Sequence, residues 1–164
     1  MLYEKDIKVY TDGSCKKSAG IGFGGWSYII VIDDVIHRYE SGGEAHSTNQ
    51  RMELMAAINA LKFLDTMRLK QEVVLYSDSA YLINCANDQW YKDWQKNGWL
   101  NSRGKEVSNE DLWRILIPYF NHPKIFFRHI LGHNGNIFNE RCDKLAQTAA
   151  EKERQHWKGE RKND

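Results

Sequence analysis

The chain has 164 residues, 41% of them hydrophobic and 27% charged, with a net charge of +1; this fits one folded domain and excludes a disordered polymer. Its longest apolar runs, such as Tyr28 to Ile32, are too short to cross a membrane, and the opening Met1-Leu-Tyr-Glu-Lys-Asp-Ile7 lacks the pattern of a secretory signal. Three scattered cysteines, Cys15, Cys85 and Cys142, form no CxxC pair, which argues against a disulfide framework or a zinc site and suits a reducing cytoplasm.

In chain order, Ile7 to Asp12 alternates Ile7, Val9 and Thr11 with Lys8, Tyr10 and Asp12, the period of a strand. A glycine-rich turn is expected around Gly20, Gly22, Gly24 and Gly25, followed by strands over Trp26 to Ile32 and Val35 to Tyr39. Asp33-Asp34 between them reads as a tight hairpin turn. The period then changes: Leu54, Ala57, Ile58, Leu61 and Leu64 recur at helical spacing, with Thr48 or Asn49 as N-cap. Glu72 to Ser77 is a short, nearly continuous apolar run, expected as a strand buried on both faces. A helix should start at Asp78-Ser79, and another at Ser108-Asn-Glu-Asp111, which has the capping-box pattern. Lys124 to His129 reads as a last strand and Asn139 to about Arg154 as a last helix. This order predicts an α/β fold: a five-stranded mixed sheet, an antiparallel meander plus parallel strands, flanked by helices. One domain is expected over 1–150, with 151–164 a charged helix end that frays into solvent.

Three acids stand where sheet chemistry is usual. Asp12 ends the first predicted strand, Asp78 ends the buried one, and Glu53 lies in the first turn of the apolar helix. If the two strands are parallel neighbours, both aspartates leave the sheet at its carboxyl edge. Asp143, beside Cys142 on the last helix, is a fourth candidate. Singly, each has an ordinary explanation as a turn former, cap or dipole partner. Together, four converging acids repel one another unless cations hold them. An all-oxygen set selects Mg²⁺ or Mn²⁺ over zinc, and two such ions are the arrangement for phosphodiester displacement. His133, in Leu131-Gly-His-Asn-Gly135, adds a proton carrier suited to neutral pH.

Four segments carry a resemblance. Tyr10-Thr-Asp-Gly-Ser-Cys15, Thr48-Asn-Gln-Arg-Met-Glu-Leu-Met-Ala-Ala57, Ser77-Asp-Ser79, and Gly132-His-Asn-Gly135 through Asn139-Glu-Arg-Cys-Asp-Lys-Leu-Ala146 resemble the type 1 ribonuclease H family in order and spacing, over roughly Ile7 to Ala150. The resemblance implies a ribonuclease H-like fold. It also implies a metal-dependent endonuclease that cuts the RNA strand of RNA–DNA hybrids, leaving 5′-phosphate and 3′-hydroxyl ends. Asp12, Glu53, Asp78 and Asp143 would be the family's metal carboxylates and His133 its mobile histidine. Two Mg²⁺ ions per site are implied, with Mn²⁺ as substitute. Glu140 also matches a family position near the site, without an assigned role.

The resemblance also implies substrate contacts. Cys15 (through its backbone), Ser18, Asn49 and Gln50 match positions at the minor groove, where the 2′-hydroxyl of RNA is read. Thr48 and Asn109 match a pocket for a phosphate of the DNA strand. Trp90, Trp94 and Trp99, interleaved with Lys92 and Lys96, resemble the family's basic protrusion; packing is expected for Trp90, and substrate contact for Trp94, Lys96 and Trp99. Between Tyr91 and Lys105, Lys92, Lys96, Arg103 and Lys105 meet only one acid, Asp93. Two positions depart from the family's bacterial pattern: Ser18-Ala19-Gly20 stands where Asn-Pro-Gly is common, and Ala80 where Gln is frequent. A free-standing, cytoplasmic monomer without a protein partner or membrane contact is expected. Two readings compete: an inactive hybrid-binding module, and a nuclease of the same fold acting on DNA.

Overall fold

The computed structural model describes residues 6–131 and 135–162, with side chains described to residue 159. Strands β1 (Ile7–Ser18), β2 (Ile21–Ile32) and β3 (Val35–Ala45) form an antiparallel meander. Helix α1 (Asn49–Thr66) leads to β4 (Val73–Ser77), which pairs parallel to β1. Helices α2 (Ala80–Asp88), α3 (Trp90–Lys96) and α4 (Glu110–Phe120) precede β5 (Ile125–His129), parallel to β4, and α5 (Ile137–Lys162) closes the chain. The strand order is β3-β2-β1-β4-β5.

The sheet divides two layers. On one face Val9, Tyr28, Ile30, Val73 and Leu75 pack with Leu54, Leu61 and Leu64 of α1 and Trp113 and Leu116 of α4. On the other, Tyr10, Ile29 and Val31 pack beneath Cys142 of α5. Each fully buried Leu or Ile side chain contributes roughly 1.5–3 kcal/mol by leaving water, so the helix-rich face supplies most of the hydrophobic stabilisation.

Several boundaries differ from the sequence reading, for local reasons. The glycine-rich stretch is mostly strand: only Ala19-Gly20 turn, with φ of 52° and 79°, while Gly22, Gly24 and Gly25 belong to β2. Gly25 is required by packing, because a Cβ there would lie 2.1 Å from the Ala146 carbonyl oxygen of α5. Asp33 and Asp34, at φ 51° and 66°, form the expected two-residue hairpin turn. Thr48 caps α1, accepting from the Arg51 N–H at 3.1 Å. The capping box at residue 108 does not form: α4 starts at Glu110 after Asn109 in the left-handed region, with no side-chain cap. Helix α5 starts before Asn139 because the Asn136 Oδ1 accepts from the N–H groups of Phe138 and Asn139, both at 3.0 Å. Nor does it fray at residue 151. It continues to Lys162, and the Trp157 ring packs on Phe23 and His46.

Candidate metal centre and nucleic-acid interface

Asp12 does not end its strand. Strand β1 runs on to Ser18 against β2, whereas the pairing of β1 with β4 stops at Tyr10 and Tyr76. Asp12 therefore emerges where the parallel half of the sheet ends, and Asp78 follows the last residue of β4 on the neighbouring strand. Both occupy the carboxyl edge of parallel strands, where open α/β sheets place their chemistry.

Glu53 arrives from the other layer, as the fifth residue of α1 and past its first turn, so the dipole-partner explanation does not apply. Its approach depends on Gly13: a Cβ at that position would lie 2.3 Å from the Glu53 backbone nitrogen. The glycine after Asp12 thus lets β1 run against the backbone of α1. Asp143 is carried in by α5, whose neighbouring residue Cys142 is tied to the sheet. Ser27 Oγ donates to the Cys142 carbonyl at 2.6 Å, and the Cys142 thiol donates to the Tyr10 carbonyl at 3.4 Å. Asp143 itself accepts from the Gln147 amide at 2.9 Å.

Carboxylate oxygens of Asp12, Glu53 and Asp78 all lie within 4.8 Å of one another, the one such metal-competent group among the described residues. Burial, then the charges of Asp78 and Asp143, push the Asp12 carboxyl up to about 8. Burial, then Asp12 and Asp78, raise Glu53 well above the carboxylate range. Asp12 Oδ1 accepts from the Gly13 N–H at 2.9 Å, but Asp12 Oδ2 and Glu53 Oε2 are buried with no donor among the described residues. Buried acceptors without donors cost free energy. An all-oxygen donor set with orphaned lone pairs fits a hard divalent cation, which would satisfy those oxygens and neutralise the repulsion.

The family model for RNase H matches residues 4–151. The chain belongs to the ribonuclease H family. It is 45% identical over 146 residues to the ribonuclease H of Syntrophomonas wolfei subsp. wolfei, covering 88% of this chain and 96% of that protein. It is 48% identical over 143 residues to that of Acetivibrio thermocellus, covering 87% and 92%. Among solved structures, LC9-RNase H1, described as a type 1 RNase H with the type 2 active-site motif, superimposes with a TM-score of 0.75 at 27% identity over 93% of this chain and 75% of that one. The solution structure of the PFV RNase H domain gives 0.72 at 25% identity over 90% and 96%. Ribonuclease H is a hydrolase, so this chain is of an enzyme family, and the expected sheet is that of its structural neighbours.

The other candidates fall into two groups. Cys15, Thr48, Asn49 and Gln50 line one open cleft of about 520 Å³, joined by Lys17, which the sequence reading did not single out. Its signal was strand alternation, which puts Lys17 on the same face as Cys15. Ser18 lies further along, at the β1–β2 turn. Thr48 and Asn109 are linked through Arg51, a second residue not singled out. The Arg51 backbone donates to Thr48, and its guanidinium donates to Asn109 at 3.5 Å, to Asp111 at 2.9 Å and to Glu44 at 3.1 Å. Arg51 stands within the Thr48 to Ala57 segment, but its side-chain partners come from β3 and α4 and are invisible locally.

In the tryptophan segment the packing roles run opposite to expectation. Trp99 is 8% exposed, with the Arg114 guanidinium 4.3 Å above its ring, whereas Trp90 is 36% exposed. Trp94 is half-buried between Trp99 and Trp113. Trp99 reaches the interior because the chain turns back on itself: its φ is 64°, and Val107 N–H donates to its carbonyl at 3.1 Å. Lys96 is exposed at the end of α3. His133 lies outside the described residues.

Proposed function

We propose that the chain is a metal-dependent endoribonuclease that hydrolyses the RNA strand of RNA–DNA hybrids. The observation that carries the reading is the meeting of Asp12, Glu53 and Asp78 from two strands' edge and one helix, with two buried oxygens that have no donor among the described residues. Family membership supports the same reaction. Mg²⁺ is the proposed ion, two per site, with Mn²⁺ as substitute. When bound, such a pair supplies positive charge at both the entering and the departing oxygen of a phosphodiester displacement. Asp12 would be shared by both positions, with Asp78 completing one and Glu53 and Asp143 the other.

The residues divide the remaining work. Cys15, Asn49, Gln50 and, beyond them, Ser18 present polar groups to the minor groove, where a 2′-hydroxyl marks the strand to be cut. Thr48 and Asn109, bridged by Arg51, take a phosphate of the DNA strand. Trp94, Lys96 and the aromatic bed formed with Trp99 hold the duplex away from the cutting site. His133 is assigned proton transfer or product release on its sequence motif. The products are a 5′-phosphate and a 3′-hydroxyl. Among the described residues no helix is long and apolar enough to cross a membrane; the enzyme is proposed to act as a cytoplasmic monomer.

Asp12→Asn tests the assignment. It keeps the shape of the site but removes the central charge, so cleavage of hybrid should fall by about 10³-fold or more while hybrid affinity stays within a few-fold of the parent. A wild-type protein that binds hybrid but never cuts it with Mg²⁺ or Mn²⁺ would instead identify an inactive binding module. Cutting of all-DNA duplex at a comparable rate would identify a DNA nuclease.

A further inference from the structure

The last part of α5 extends past residue 151, where the match to the family model ends. It carries Trp157, whose ring lies 6.2 Å from that of Phe23 on β2 and 5.1 Å from that of His46, edge to face with the latter at 85°. His46 is the corner residue between β3 and α1, held in the left-handed region at φ 56°, a conformation that L side chains avoid unless their surroundings impose it. The next residues, Thr48, Asn49 and Gln50, line the cleft with Cys15. Between them Ser47 is clamped on both sides: its N–H donates to Gly22 O at 2.9 Å, and its carbonyl accepts from the Cys15 thiol at 3.5 Å. A Cβ on Gly22 would lie 2.2 Å from that carbonyl oxygen, so strand and corner are in backbone contact.

We infer that Trp157 is a positioning residue for substrate binding: the C-terminal turns of α5 latch the corner at His46 and thereby fix the 48–50 side of the cleft. The same helix carries Asp143 near its other end, 14 residues away, or about 21 Å along the axis. One rod therefore spans the metal centre and the substrate-reading corner, and α5 keeps them in register. Its middle is seated by small residues, with Ala146 and Ala150 backbone atoms against Gly25. The inference rests on the proposed ribonuclease H reaction for the meaning of the cleft, but the latch itself is read from contacts.

The test compares Trp157→Ala, Trp157→Phe and His46→Ala in the full chain, using an RNA–DNA hybrid as substrate. Loosening the corner should raise KM roughly 5–10-fold with kcat within about twofold of the parent. Trp157→Phe keeps an aromatic face and should recover most of the affinity, and Trp157→Ala with His46→Ala should cost no more than the larger single change, because both break one contact. Hybrid binding is also measured in an Asp12→Asn background, independently of cleavage. Unchanged KM and unchanged binding in a folded Trp157→Ala protein would overturn the latch. So would a fall in kcat, alongside a lower melting temperature, that Trp157→Phe fails to rescue, because that marks a general loss of stability. If the parent protein fails to cut hybrid but Trp157→Ala still weakens binding, the latch stands and the nuclease reading falls.

Discussion

The carboxylate centre and the tryptophan segment differ in how their side chains are held. At the centre, Asp12 and Asp78 are placed by adjacent parallel strands and Glu53 by a capped helix whose backbone touches β1 at Gly13. Regular backbone geometry therefore sets the carboxylate positions, and like charges are forced together against their own repulsion. In the segment from Trp90 to Val107, one short helix and a turned-back loop hold the side chains, and ring-on-ring packing decides which face is buried. The centre gives up stability for chemistry. The tryptophan segment contributes packing and presents charge.

That contrast can be broken by substitution and by pH. Glu53→Gln should lower kcat by about 10³-fold or more in steady-state cleavage, yet raise the melting temperature in EDTA, because it removes one member of a repelling cluster. A lower melting temperature in EDTA would show that the acids are not in conflict. Trp99→Ala should cost roughly 3–5 kcal/mol in denaturant unfolding as a buried aromatic lost from a packed cluster, whereas Trp90→Ala should stay near 0.5 kcal/mol. Equal costs would dissolve the distinction.

The pH response sharpens the same point. Asp12 titrates at about 8 in the folded, metal-free protein against an ordinary 3.8, and Glu53 is raised as well. At these two groups the folded state therefore binds more protons than the unfolded one, so their contribution to stability is fullest below about 4 and is lost as pH rises through about 8. Melting temperature in EDTA should drop between pH 5 and pH 8, and excess Mg²⁺ should restore it at pH 8; a flat profile would contradict the crowding of acids. The smallest effect belongs to Lys96→Ala, which should leave stability unchanged and reduce the slope of log affinity against log salt by about 1.

The two regions were also unequally legible in the sequence. Strand alternation, the switch to helical period after residue 48 and an acid at each strand end were enough to bring Asp12, Glu53 and Asp78 together, because sheet topology converts sequence spacing directly into position. The alternation from Ile7 nonetheless makes Asp12 look like a strand end. Its strand continues through residues that pair only with β2, so the true boundary belongs to β4 rather than to β1. Gly22, Gly24 and Gly25 looked like a turn, but they are strand residues kept small because Ser47, Met52 and the backbone of α5 press on them. The burial of Trp99 depends on a left-handed turn and on Arg114 from a helix later in the chain. Arg51 and Trp157 were missed for the same reason: their partners lie 58 and 111 residues away, at Asn109 and His46.

The most direct test of the account is a cleavage gel of end-labelled RNA–DNA hybrid, RNA duplex and DNA duplex, each with Mg²⁺ and with EDTA. Cutting should be confined to the RNA strand of the hybrid and abolished by EDTA. Cutting that survives EDTA, or none on the hybrid with Mg²⁺ present, would contradict it.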